Sequence, residues 1–320
     1  MILKRRSKPL PLRKLDALLP RLSPNFPELI KIQEDAKRQQ RGYSGELRVD
    51  YFLDYLAPKF TILHDVYLRT NGKNFQIDSL IIADHTIFIV DSKHYQGLIT
   101  FNTILRQLTR SDNQIESGFE YPITQVKNQI RNLEHWLNQL YFSKIPIKGF
   151  VAIADPATIV KVEGSQEEVS SYVAHAAEIH ERIVSYDRQM SDEGAKKLSG
   201  PQIGKAILSQ CGTFDINLFK QHNLQQKDIR SGVRCPDCGQ CGMKRVHSGW
   251  LCEKCNCYSK HEHITALNDY LLLIKETITN QECMNFLGLN SRHVASRILK
   301  NSGLDYYPQT RKWHNVSNRK

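Results

Sequence analysis

Three charged residues stand in a pair of apolar runs: Asp78, Asp91 and Lys93, within the stretch QIDSLIIADHTIFIVDSK from Gln76 to Lys93. Around them lie Ile77, Leu80, Ile81, Ile82, Ile87, Phe88, Ile89 and Val90. Runs of this kind suit strands covered on both faces, and the spacing predicts two, over 77–83 and 86–93. A carboxylate in such surroundings is costly unless it is paired or binds a cation. The two-residue period of a strand puts Asp91 and Lys93 on one face. Two acids on neighbouring strands, with a lysine two residues past the second, suit a divalent-metal site. The chemistry this favours is metal-dependent cleavage of nucleic acid. The competing reading is a solvated ion pair on an edge strand.

The elements that must position these groups follow from hydrophobic periodicity. A helix is expected over Glu46–Leu56, after Gly42 and Gly45, with Leu47, Val49, Phe52, Leu53 and Leu56 as its apolar stripe and Pro58 as its stop. Phe60–Arg69 reads as a strand, and Asn71-Gly72 is a hairpin-turn signal. Gly97–Asn102 and Ile104–Arg110 add strands. Pro122 opens a helix running to about Leu140. Lys148–Asp155 is another buried-type strand, and residues 156–216 are mostly helical in pattern, best over Ala174–Tyr186 and Gly204–Cys211. The class is a mixed α/β core. Asp84-His85 reads as a turn, and His64 beside Asp65 as a structural or surface histidine.

Gly45-Glu46 opening a helix, Gln76-Ile77-Asp78 opening a strand, Asp91-Ser92-Lys93 closing the next, then Gly97, Pro122 and Gln125: this order resembles the nuclease-related domain family (NERD), a branch of the PD-(D/E)xK nuclease superfamily. The resemblance covers roughly residues 38–155. It implies a restriction-endonuclease-like mixed sheet flanked by helices. Asp91 stands where the family usually has glutamate; the wider superfamily accepts either acid.

Phosphodiester hydrolysis needs an activated water and stabilisation of charge on the phosphate oxygens, and Mg²⁺ or Mn²⁺ supports both. Asp78 and Asp91 are the expected ligands, with the Ser92 carbonyl as a further candidate. Lys93 is expected to orient or help deprotonate water and to stabilise the developing anion. Glu46 is a candidate ligand for a second metal or its water, against a plain helix-N-terminal acid favoured by the dipole. Gln125 and Gln76 are neutral groups able to position water or phosphate; a surface position is the alternative for Gln125.

The chain has 320 residues, 40% of them apolar, and a net charge of +11. Residues 1–15 hold six Lys/Arg and no acid, and residues 217–320 hold 16 Lys/Arg against eight acids, so the middle is slightly acidic. Basic ends fit a polyanion partner, and equally fit solubility. No apolar run reaches the ~18 residues of a membrane span. The basic start lacks an apolar signal region, so a soluble, cytoplasmic protein is expected. Pro9, Pro11, Pro20, Pro24 and Pro27 suggest that 1–37 is a basic, flexible lead-in. The nuclease-like domain is then 38–216, and a polar linker occupies 217–234.

Six of the eight cysteines fall between Cys235 and Cys257. Cys235-x-x-Cys238 and Cys252-x-x-Cys255 are two knuckles suited to a closed tetrahedral Zn²⁺ site, a zinc ribbon over 235–260 with a short hairpin around His247-Ser248-Gly249. Cys241 and Cys257 leave the ligand choice open. Residues 261–320 read as a helix-turn-helix with a winged-helix-like tail. Its second helix presents Ser291, Arg292, His293, Ser296, Arg297 and Lys300, and the tail carries Arg311 and Lys312. In this reading the helix enters a major groove and the tail contacts phosphates; a small packing module with a solvated basic face is the alternative.

The whole reads as a Mg²⁺- or Mn²⁺-dependent nuclease whose C-terminal modules hold nucleic acid, DNA favoured over RNA, with a homodimer compatible. The rival is a non-catalytic nucleic-acid-binding or regulatory protein with an inactive nuclease-like core.

Overall fold

Residues 1–112, 115–142 and 144–315 are described in the computed structural model of the chain. They form two units, the first of Met1–Pro9 and Arg38–Phe214, the second of Leu10–Lys37 with the chain from Asp215 onward.

The first unit is built on a six-stranded mixed sheet, in the order Ile2–Lys4, Thr61–Thr70, Lys73–Ile82, Ile87–Lys93, Ile147–Ile153 and Val173–His175. The three consecutive strands pair antiparallel, and Ile87–Lys93 runs parallel to Ile147–Ile153. Alternation along Ile87–Lys93 explains the layers. Phe88 and Val90 pack with Val49, Leu53, Ile179 and Ile183, so the helices Leu29–Leu53 and Ala176–Asp192 cover that face. Ile87 and Ile89 pack with Leu133, Trp136, Ile203 and Ile207, so Pro122–Gln139 and Gly200–Gln210 cover the other. This mixed α/β sheet between helices is the expected class. The hairpin turn falls at Asn71-Gly72, both with positive φ, 49° and 76°. Glycine at the second position costs no side-chain strain there.

Several boundaries differ from expectation. The helix carrying Glu46 begins at Leu29 rather than near Glu46 and is 25 residues long. Gly42 and Gly45 read as a break because each costs a helix interior up to about 1 kcal/mol. Gly45 is there for close approach: a Cβ would sit 2.5 Å from His94 Cβ. A second, four-stranded sheet has the order Ile115–Glu120, Gln107–Asp112, Leu98–Asn102, Ile159–Glu163. Its outer strand Ile115–Glu120 is exposed throughout and carries no burial pattern to read.

In the second unit, residues 10–37 are not a flexible lead-in. Leu10–Leu18 is a helix with Pro11 in its first turn, and Leu12, Leu15, Leu18, Leu22 and Ile32 are buried. The prolines masked a leucine stripe at helical spacing. Nor is 217–234 a bare linker, since Leu218, Leu224 and Ile229 join Leu15, Leu18, Leu22 and Leu273 in one cluster. Buried Arg21 ties these pieces together: its Nε donates to Asp269 Oδ2 at 2.7 Å and its Nη1 to the carbonyls of Arg230 and Gly232.

The cysteine hairpin (Lys244–Val246, Gly249–Leu251, Tyr258–Ser259) and the helices that follow share a single core, in which Cys235, Met243, Trp250 and Cys252 pack with Leu267, Tyr270, Leu287, Leu299 and Trp313. The helix Glu262–Leu273 leads to Asn280–Leu287, whose start carries a Thr279/Glu282 capping box. Gly288 ends that helix at φ 70°, the left-handed C′ position. Arg292–Asn301 follows, and the hairpin Leu304–Tyr307/Lys312–Asn315 closes a three-stranded sheet with Thr277–Ile278.

The tightest joint of the first unit is Gly149, where a Cβ would lie 2.0 Å from Val126 Cγ1 of the covering helix. Overpacking of this kind costs typically about 1–3 kcal/mol. Gly149→Ala should lower urea-unfolding stability by that order, and Val126→Ala on top should return part of it. Additive losses in the double variant would contradict the close approach as the cause.

Candidate active site and metal centre

Strand pairing positions the acids. The ladder between Lys73–Ile82 and Ile87–Lys93 runs from Ile82–Ile87 to Ser79–Val90 and stops. Asp78 and Asp91 lie just past the last rung, where the strands fork. The Ser92 N–H, freed on that side, donates to Asp78 Oδ2 at 2.8 Å. On the other flank Asp65 interrupts the pairing opposite Asp78, with φ 52°. The region tolerated by asparagine and aspartate is used here to turn a strand aside.

Asp91 is 1% exposed, and its Oδ2 lies 2.8 Å from Lys93 Nζ. Lys93 Nζ also donates to Gln125 Oε1 at 2.9 Å. Gln129, one helical turn beyond Gln125, donates from Nε2 to the Gln76 carbonyl at 3.1 Å and to Asp91 Oδ1 at 3.4 Å. Burial holds the Asp91 carboxyl above the usual range, partly offset by Lys93 and reinforced by Asp78. Burial opposes the charge on Lys93, but Asp91 and Asp78 raise its proton affinity on balance. Gln76, expected to face water or phosphate, turns its amide to Asp65 Oδ1 at 3.0 Å.

Glu46 is placed differently from expectation. It sits mid-helix, and its Oε2 accepts from Arg6 Nη1 at 2.7 Å. Arg6 is 2% exposed and also bonds Asp50 through Nε and Nη2, at 2.6 and 3.1 Å. Its Nη2 reaches the Asp78 carbonyl at 2.6 Å and Ser79 Oγ at 3.2 Å. Burial disfavours the Arg6 charge, yet Asp50 and Glu46 raise its proton affinity further. Burial, then Asp78, push Glu46 up to about 7, with Arg6 working against both. Burial also opposes ionisation of Asp50, but His64 and Arg6 bring it below its ordinary value. His64 is buried, with Nδ1 against Ser79 Oγ and Nε2 against Asp54 Oδ1, at 3.0 and 3.1 Å. It is a structural histidine.

Two residues of this site escaped sequence reading. Arg6 is 40 positions from Glu46 and 72 from Asp78, so no local pattern links them. Gln129 had a signal, since Gln125 and Gln129 are spaced for one helix face.

A divalent ion suits the Asp78/Asp91 pair because two carboxylates come together at the fork, one of them 1% exposed, with the single ammonium of Lys93 at 2.8 Å as the cation on Asp91. The carboxylates Glu46, Asp78 and Asp91 do not, however, converge as tightly as the cysteines. Among the described residues, Cys235, Cys238, Cys252 and Cys255 form the metal-suited cluster, their sulfurs all within 4.8 Å of one another. Cys235 and Cys255 sulfurs are 3.5 Å apart, and Cys238 and Cys252 sulfurs 3.6 Å. A tetrahedron with ~2.3 Å metal–sulfur bonds has edges of about 3.8 Å. Burial pushes the Cys235 thiol up, but N–H groups of Cys238 and Asp237 bring it down to about 6, favouring the thiolate. Cys241 and Cys257 fall outside the cluster; their backbones make the flanking bridge to Arg234 and the hydrogen bond to Cys252 N. The set is compatible with a zinc ribbon.

Near this centre lies a groove lined by Lys244 and Arg245 of the cysteine hairpin and by Gly288, Asn290 and Ser291 at the turn between helices. Arg245 is fixed over Trp250, 5.3 Å from its centroid, and donates to the Gly249 carbonyl at 3.0 Å. Burial and then Arg297 lower its proton affinity, so the two cations share one region. Arg292, His293, Arg297, Lys300, Arg311 and Lys312 are all exposed, and Ser291 is half-buried.

The fork thus carries two acids and a lysine on a mixed sheet between helices. Residues 41–154 match the family model of the nuclease-related domain, NERD. Over 156 residues, 48% of this chain and 71% of the other, the chain is 27% identical to an uncharacterized protein of Bacillus anthracis. No solved structure matches. The family match takes in Glu46, Asp78, Asp91, Lys93, Gln125 and Gln129 and leaves out Arg6. No helix among the described residues is long and apolar enough to cross a membrane.

Because Cys235 and Cys252 pack in one core with Trp250, metal loss should reach beyond the hairpin. Treatment with a strong chelator, or Cys238→Ser, should red-shift Trp250 emission and remove a calorimetric transition. A chelated protein that melts unchanged would exclude a structural metal here.

Proposed function

We propose that residues 38–216 form a Mg²⁺- or Mn²⁺-dependent nuclease domain, and that the zinc ribbon and winged-helix-like region hold the nucleic acid, DNA in preference to RNA. The observation that carries the reading is the fork: Asp91 buried with Lys93 Nζ at 2.8 Å, Asp78 beside it, and Lys93 held by Gln125. When bound by Asp78 and Asp91, the ion supplies Lewis acidity toward a phosphate oxygen and acidifies water. Lys93 contributes a fixed positive charge where the phosphate becomes more anionic. Gln125 holds the Lys93 ammonium in place, and Gln129 holds Asp91.

In the second unit, His293, Arg297 and Lys300 recur at helical spacing on the exposed face of Arg292–Asn301, with Arg245 and Lys244 nearby and Arg311 and Lys312 on the terminal hairpin. Such groups suit phosphates first, and base edges only where a helix enters the major groove.

The test is a cleavage panel of single- and double-stranded DNA and RNA with Mg²⁺, Mn²⁺ or chelator. Asp78→Ala, Asp91→Ala and Lys93→Ala should each lower the rate at least about 100-fold. Intact substrates under every condition, with tight binding retained, would favour the non-catalytic binding protein. Arg297→Ala and Lys300→Ala should weaken DNA binding across all sequences, each lowering the salt slope by about 1. Unchanged binding by both would remove that helix from the interface.

A further inference from the structure

We infer that Arg6 is a built-in second cation of the fork, so that the site takes one divalent ion, on Asp78 and Asp91, and Glu46 is not a metal ligand. The inference rests on the metal-dependent reading above. Four acids face this side of the sheet: Glu46 and Asp50 from one helix, and Asp65 and Asp78 from neighbouring strands. Gathering acids in a buried setting demands positive charge, and a two-metal site would meet that demand with a second ion. Here a side chain meets it. Arg6 leaves the edge strand Ile2–Lys4, which pairs with Ile62 and Leu63, and enters the cluster with its side chain 2% exposed.

The guanidinium has five N–H donors, and its three nitrogens all find acceptors: Nε on Asp50, Nη1 on Glu46, Nη2 on Asp50, Ser79 and the Asp78 carbonyl. The pairing with Asp50 is the two-pronged kind that fixes both partners. Glu46 therefore presents its carboxylate to an immovable cation at 2.7 Å, and a divalent ion on Glu46 would meet the charge of Arg6 at close range. Asp78 and Asp91 differ. Asp78 Oδ2 accepts a backbone N–H, and the cation on Asp91 is the single ammonium of Lys93, at 2.8 Å on a side chain 18% exposed, nearer solvent than the locked guanidinium of Arg6. Lys4 deals with Asp65 in the same manner, at 3.5 Å, so the strand leading to Arg6 brings two cations to the acids' side. The family match begins at Arg41, so Arg6 comes from outside the matched domain.

Mn²⁺ binding to the full, zinc-loaded chain decides the matter. Electron paramagnetic resonance titration at pH 8 should count one Mn²⁺ in the wild type. Asp91→Asn should remove it and Glu46→Gln should leave it. Arg6→Ala should gain a second ion, and Glu46→Gln in that background should return the count to one. Two ions in the wild type, one of them lost on Glu46→Gln, would overturn the inference while leaving the nuclease reading intact. So would a folded Arg6→Ala protein that still binds one. No Mn²⁺ at all in the wild type would instead remove the metal-dependent reading, and with it this inference. If Arg6→Ala does not fold, the wild-type and Glu46→Gln counts decide alone.

Discussion

Burial of like charge governs the first unit. Glu46, Asp50, Asp78 and Asp91 are brought to one end of a sheet whose interior is otherwise aliphatic. Desolvation and mutual repulsion would protonate such a group or open the strands. The fold answers with fixed cations: Arg6 on the Glu46/Asp50 side and Lys93 on the Asp91 side. Each is itself held by a neutral partner, Ser79 or Gln125. Two cations against these four acids leave the cluster short of positive charge. A deficit of that kind is what a hydrated divalent ion with one or two carboxylate ligands can fill.

The second unit solves a different problem. Its pieces are small, and neither the cysteine hairpin nor the short helices could bury a core alone. They share one instead, with Trp250 and Trp313 in the same cluster as Cys235 and Cys252. The metal-suited centre, the groove at Lys244 and Arg245 and the helix Arg292–Asn301 are thus parts of one unit.

How much of this was legible depends on sequence distance. Asp78, Asp91 and Lys93 stood out because charge in an aliphatic run contradicts its surroundings, and the strand period placed two of them together. Gln125 came from the order of residues that resembles the nuclease-related domain family, with Pro122 opening its helix. Arg6 was not, because its partners lie 40 and more positions away and its own neighbourhood reads only as basic. Residues 10–37 were misjudged because five prolines in the first 30 residues drew more notice than Leu12, Leu15, Leu18 and Leu22. Gly45 misled in the opposite sense: a residue chosen for contact with His94 looked like a helix boundary.

The interleaving of the two units has a consequence for how the protein is made. The packing partners of Leu10–Lys37, namely Leu218, Leu224, Ile229 and Leu273, leave the ribosome some 200 residues or more after it. At synthesis rates of about 5–20 residues per second the wait is on the order of 10–40 s. Throughout it the Leu12–Leu22 stripe has no completed core to enter. The nascent chain thus carries a sticky amphipathic segment while the sheet assembles behind it, and long-range closure of this kind is slow in itself.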